Sequence, residues 1–306
     1  MERPFICKCL TAEYEEEKSV QFDIGKEQLF HVDIEQAVIR SIKISTDSDV
    51  SIFDLNTVLS KIERLLMLLD GRFIQLKEMK FSESDVFSND SLIPCAQNLI
   101  AQRSSYFCSA DFCKNASYRL IDFENVFTPD LFSKWDDLLD ELGVVHQMFL
   151  YSVSDSKITI DVKCAFLVEL AEPIVEVVKE RTYYFASLEP GSRGTTLKNC
   201  LDALIIKYGK EIFNKELSSS QYNQFLNVLV NSRVNIMHVK RNQRKPALNG
   251  KQSCLYAQKL SLLYRKILFE LLQINDSLYL EKLKHCVLNL DNWNSISDDF
   301  LSWLSK

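Results

Sequence analysis

From about residue 158 to the end, the chain is an unbroken succession of helix-period segments. No other feature limits the possible fold as much. The segment 160–181 is the first, and Pro173 inside it predicts a kink. Glu189-Pro190-Gly191 marks a turn, and 197–208 repeats the helical period up to Gly209. A third helix is expected over 219–237, capped by one of Ser218, Ser219 or Ser220. Leu248-Asn249-Gly250 is a turn, 253–272 is a fourth helix, and 278–288 and 296–304 are short amphipathic closers. Only 7 Gly and 6 Pro occur in 306 residues, which leaves little room for a turn-rich β fold or long linkers.

The first half has a different grain. Residues 5–10, 19–24, 28–32 and 38–44 are rich in β-branched and aromatic side chains and are separated by charged breaks, so they read as strands. In 51–70 the period changes: Phe53, Leu55, Val58, Leu59, Ile62, Leu65, Leu66 and Leu69 repeat at helical spacing, and Gly71 supplies a left-handed end. A strand is expected over 73–81. Thr128-Pro129-Asp130 opens a helix running to about Gly143. The fold class expected is α+β, with a mixed region over 1–155 followed by an all-α bundle over 156–306.

The third helix of the bundle carries an anomaly. At about 100° per residue, Tyr222, Leu226, Leu229, Val230 and Met237 share a face, and Arg233 lies in the middle of it. A guanidinium there needs a carboxylate such as Glu169 or Glu172, or a cleft. His238 follows, turned by about 140° on a straight helix. The two converge only if the helix ends or distorts near 237–238, or if two copies of it meet. The charged, Pro-closed segment 239–246 favours an ending.

Charge singles out the same region. No acidic residue occurs between Glu216 and Glu270, a stretch holding Arg233, Lys240, Arg241, Arg244, Lys245, Lys251, Lys259, Arg265 and Lys266. The whole chain is acidic, with a formal charge of −6, so this concentration of bases suits a polyanion. RNA fits the chemistry. His238 can move a proton at the 2′-hydroxyl or the leaving 5′-oxygen, and Arg233 can grip the phosphate. The substrate supplies its own nucleophile, so neither a metal nor a cofactor is required, and DNA is not a substrate by this route. The competing reading is that Arg233 is a core arginine and the bases form a solvated face.

Other features have plainer readings. The 9 Cys are scattered; Cys7/Cys9 and Cys108/Cys113 lack zinc spacing and read as ordinary thiols. No signal peptide or membrane-length apolar run is legible, which predicts a cytoplasmic chain with no membrane partner. His31, His146 and His285 read as surface or satisfied core residues, and Asp136, Asp137, Asp140 and Glu141 as a solvated helix face. Trp293 and Trp303 can pack on the bundle or on a second subunit.

Three stretches carry a resemblance to a known family: 166–172 (FLVELAE), 204–213 (LIIKYGKEIF) and 225–250, which contains Arg233-x4-His238 and closes on KPALNG. Together they resemble HEPN domains, and among these the ApeA-like group of prokaryotic anti-phage defence proteins, over roughly 155–275. The resemblance implies a metal-independent endoribonuclease that is dimeric through its bundle, cleaves RNA to arrest an infected host, and answers to a phage-derived trigger. It assigns Arg233, His238, Asn235 and Glu172 to the catalytic site. Lys240, Arg241, Arg244 and Lys245 follow the motif as RNA contacts. The chain departs from the family pattern at Val234, where a polar residue usually follows the Arg, and at Pro173, directly after Glu172. Some HEPN domains are inert RNA- or protein-binding modules, and that is the alternative reading.

Overall fold

The computed structural model describes residues 6–14, 20–24, 30–36, 40–71, 78–82, 119–154, 158–190, 192, 195–237, 245–293 and 295–305. Its layout is α+β, and it divides into two compact units: Met1–Ser117 with Ile121–Leu138, and Tyr118–Leu120 with Leu139–Lys306.

The first unit holds an antiparallel sheet of β1 (Ile6–Tyr14), β2 (Val20–Ile24), β3 (Phe30–Gln36), β4 (Arg40–Ser51) and β5 (Glu78–Ser82), in the order β2-β3-β4-β1-β5. The register runs through Phe22↔Val32, Val32↔Ile44 and Leu10↔Phe81, with an irregularity between Cys7 and Cys9. On β4, Ile42 and Ile44 are buried while Lys43 and Ser45 are not, the two-residue period of a sheet with one covered face. The helix α1 (Ile52–Asp70) packs on β4 and β1. It ends as the sequence predicts. Ser51 accepts from the Phe53 amide at 3.1 Å, and Gly71 adopts φ 67° with its amide bonded to Met67 O. Trp135, from α2 (Pro129–Leu142), is fully buried and donates from Nε1 to Lys61 O at 2.9 Å. Thr128 caps α2 by accepting from the Leu131 amide.

The second unit contains α3 (Val144–Val153), α4 (Ile160–Glu169), α5 (Ala171–Lys179), α6 (Leu197–Tyr208), the short α7 (Asn214–Leu217), α8 (Tyr222–Met237), α9 (Gly250–Leu271), α10 (Leu280–Asp291) and α11 (Ile296–Leu304). The single kinked helix expected over 160–181 is two helices. Pro173 has no amide to offer the Glu169 carbonyl, and its ring crowds that carbonyl, so α4 stops at Glu169 and α5 restarts after Leu170. Pro173 thereby falls in the first turn of α5, where it is tolerated. The third expected helix starts at Tyr222, and Ser219 caps the turn before it by accepting from the Gln221 amide.

The longest helix, α9, is the centre of this unit and packs on α4, α6, α10 and α11. Asn249 and Gln252 form a reciprocal capping box at its start. Its bases overturn part of the charge argument. Lys259, Arg265 and Lys266 are 0%, 1% and 6% exposed. Lys259 is paired with Glu216 and Asp291, and Lys266 with Glu211 and Glu270. These three side chains belong to the core and cannot form part of a basic surface.

Candidate active site

Arg233 lies one turn before the end of α8, facing the junction of α4 and α5. Its Nε and Nη2 donate to the two carboxylate oxygens of Glu169, the Nη2 bond at 2.6 Å. The two side chains are 20% and 28% exposed, so the pair stands at the rim of the core. The helix break places it. Because α4 ends at Glu169, that carboxylate projects from a helix terminus beside α8, with which α4 packs.

Glu172, the acid that the family resemblance assigns to the site, belongs to the same group but is not the direct partner of Arg233 found at Glu169. Its carboxyl is raised above the usual range, first by burial, then by the neighbouring Glu169 charge, against an opposing pull from Arg233. Glu176 adds to the rise. Glu172 and Glu176 also act, after burial, on the Cys200 thiol of α6, which is pushed up to about 11. The guanidinium therefore holds Glu169 directly and attracts the Glu172 carboxylate, which Glu176 in turn repels.

Asn235 does something other than join Arg233. Two residues on, it is turned by about 200° around the helix, and its Nδ2 donates to Lys245 O at 2.9 Å. Ser232 reinforces that contact. Its Oγ donates to Val228 O at 2.7 Å and accepts from the Leu248 amide at 2.8 Å. The chain after the motif is thus bound back along the last turns of α8 before Asn249 starts α9. Asn249 was legible only as a turn residue, and Ser232 did not stand out; a Ser one residue before an anomalous Arg is too common to signal a role. Lys245 is exposed. His238, Lys240, Arg241 and Arg244 lie outside the described residues.

The remaining candidates are structural. His31 bonds Asp23 through Nδ1 at 2.6 Å and Asp47 through Nε2 at 3.4 Å, two carboxylates on neighbouring strands that the sequence did not connect to it. His146 is buried against Phe149 and bonds the Tyr264 hydroxyl at 3.2 Å. His285 bonds Asn289. Asp136 pairs with Lys61 and Glu141 with Arg181, and among the described residues no group of His, Cys, Asp or Glu is arranged to hold a metal. No described helix is long and apolar enough to cross a membrane. No protein-family model, curated protein or solved structure matches the chain.

Proposed function

We propose that this chain is a HEPN-type, metal-independent endoribonuclease that cleaves RNA by 2′-hydroxyl attack and acts in anti-phage defence. The observation that carries the reading is the two-point grip of Glu169 on Arg233 five residues before His238. A guanidinium on an otherwise apolar face, aligned in advance by a carboxylate, is a prepared phosphate clamp. It loses little conformational freedom when charge develops on the scissile phosphate. His238 then serves as the proton-transfer group, and Lys240, Arg241, Arg244 and Lys245 hold the flanking backbone. The family resemblance supplies the homodimer, in which two α8 helices share the cleft, and the phage-derived trigger.

A second reading draws on a specific observation. Glu169 already occupies one edge of the guanidinium, and the Glu172 carboxylate lies within its electrostatic reach, which opposes a phosphate. That favours an inert HEPN module that binds RNA or a protein partner and regulates it.

The test is incubation of wild type, Arg233→Ala and His238→Ala with single-stranded RNA in EDTA. Cleavage by wild type alone, leaving 2′,3′-cyclic phosphate ends and failing on a 2′-deoxy substrate, supports the nuclease. RNA retained by all three proteins without cleavage selects the inert module. Neither binding nor cleavage in the presence of infected-cell extract removes the nuclease and the RNA-binding module and leaves only a module that binds a protein partner.

A further inference from the structure

Two aromatic rings beside the Arg233 site take no part in its ion pairing. Tyr151, in the last turn of α3, and Phe166 of α4 bring their ring centroids to 6.4 Å, with the planes tilted by 47°. Tyr151 stays 41% exposed despite that neighbour, and Phe166 is only partly buried. A large ring left open beside another ring offers a surface on which a flat group can stack.

Phe166 belongs to a slanting stripe on α4. The buried residues of that helix are Cys164, Ala165, Leu167 and Val168. Lys163, Phe166 and Glu169 lie on the opposite half, each step of three residues turning by about 60° and advancing about 4.5 Å. At one end of the stripe, Glu169 holds Arg233. At the other, the Lys163 ammonium donates to the Ser154 carbonyl just past α3, and Ser154 Oγ donates to the Tyr151 carbonyl at 2.7 Å. The order along the surface is therefore Lys163, then Phe166 with Tyr151, then Arg233. Asp161, the nearest acid before the stripe, is turned to α9, where Ser253 Oγ donates to its Oδ1 at 2.5 Å.

The alternation of cation, ring pair and cation selects the occupant. A nucleic acid strand alternates anionic phosphates with flat bases, and single-strand sites answer it with cations and stacking rings. A protein docking surface gathers its aromatics in a centre depleted of charge, whereas these rings stand between two cations. A duplex keeps its bases within the stack, so an unpaired strand is the form that can present one. We propose that Tyr151 and Phe166 stack the base next to the phosphate held by Arg233, with the neighbouring phosphate at Lys163. The two rings then select unpaired RNA and set which nucleotide enters the site. The role assigned to them rests on the RNA reading of the Arg233 site.

Fluorescence-anisotropy titration of the full chain tests this with two single-stranded oligomers. One is 2′-O-methyl oligoadenylate, which cannot be cut through its own 2′-oxygen. The other carries the same number of phosphates on tetrahydrofuran abasic units. Wild type should bind the oligoadenylate about tenfold more tightly than the abasic oligomer. Tyr151→Leu should abolish that preference and leave the abasic affinity unchanged, while Tyr151→Phe, which keeps the ring, retains it. Equal binding of the two oligomers by wild type, or a preference that survives in both Tyr151→Leu and Phe166→Leu, overturns the stacking and leaves the Arg233 phosphate clamp standing. Equal losses for both oligomers in Tyr151→Leu also overturn it, since the ring then supplies packing alone. Binding of neither oligomer by wild type overturns the RNA reading and the stacking with it, and assigns the ring pair to a protein partner.

Discussion

Glu169 and Arg233, 64 residues apart in sequence, join the end of α4 to the last turns of α8 through two parallel charge-assisted hydrogen bonds. Glu172, three residues from Glu169, shares the site without sharing the bond. The two carboxylates therefore respond differently to neutralisation. Glu169→Gln removes the charge from both bonds to the guanidinium in a partly screened place and lowers stability by about 1–2 kcal/mol, less than for a fully buried pair. Urea titrations of the purified chain check this.

Glu172→Gln moves the other way, and pH exposes it. The folded carboxyl titrates above its ordinary 4.5, because burial and Glu169 disfavour its charge. Folding therefore binds a proton as pH falls. This group costs nothing below the ordinary value and destabilises progressively as pH rises through the folded one. Relative to wild type, Glu172→Gln is neutral in acid below 4.5 and more stable at neutral pH. A difference that is constant across that range removes the effect.

His31 carries a linkage of the same sign in the sheet. The hydrogen bonds that it donates to Asp23, then to Asp47, raise its pKa above 6.5. The stabilisation is fully present below 6.5 and is lost as pH rises through the folded value. His31→Gln should flatten that part of the stability profile, and Asp23→Asn should lower the His31 titration midpoint followed by NMR. The group is largely exposed, so the effect on stability is small.

Much of this architecture was legible in the sequence because local chemistry fixes it. Ser51 and Gly71 bound α1, Thr128 opens α2, and Pro173 interrupts the first bundle helix, each through a backbone requirement readable from one residue. Arg233 was legible as an anomaly, and a carboxylate at 169 or 172 as its partner. Which of the two depended on where the helix broke, a three-dimensional result. The basic stretch misled for a related reason. Composition counts Lys259, Arg265 and Lys266 with the exposed bases, but α9 is buried along most of its length, and the acids that pair with Lys259 and Lys266 come from outside the stretch. Asn235 belonged to the motif by position, yet it serves the returning chain.

Lys259→Met tests how that core is held. It leaves Glu216 and Asp291 facing each other in a region without solvent, and the cost should be about 3–5 kcal/mol. Replacing all three with apolar residues should recover most of it, since the desolvation penalty disappears with the charges. A triple variant as unstable as the single one would mean that packing rather than charge sets the loss.

The salt dependence of RNA binding separates the bases that follow His238 in the sequence from those buried on α9. Each phosphate contact with a single strand contributes about 0.7 to the logarithmic salt slope. Neutralising Lys240, Arg241, Arg244 and Lys245 together should therefore flatten the slope by up to about 3 and weaken binding at all sequences alike. Lys259 and Lys266 are already spent on internal carboxylates and contribute nothing to that slope. Lys266→Met, the milder of the two core changes because Glu211 and Glu270 are partly exposed, should leave the slope unchanged in whatever fraction folds. Filter-binding titrations over a range of salt measure both. If the fourfold variant keeps the wild-type slope, the segment after His238 is outside the RNA surface. The acidic surroundings of Arg233 would then favour a protein partner over a nucleic acid.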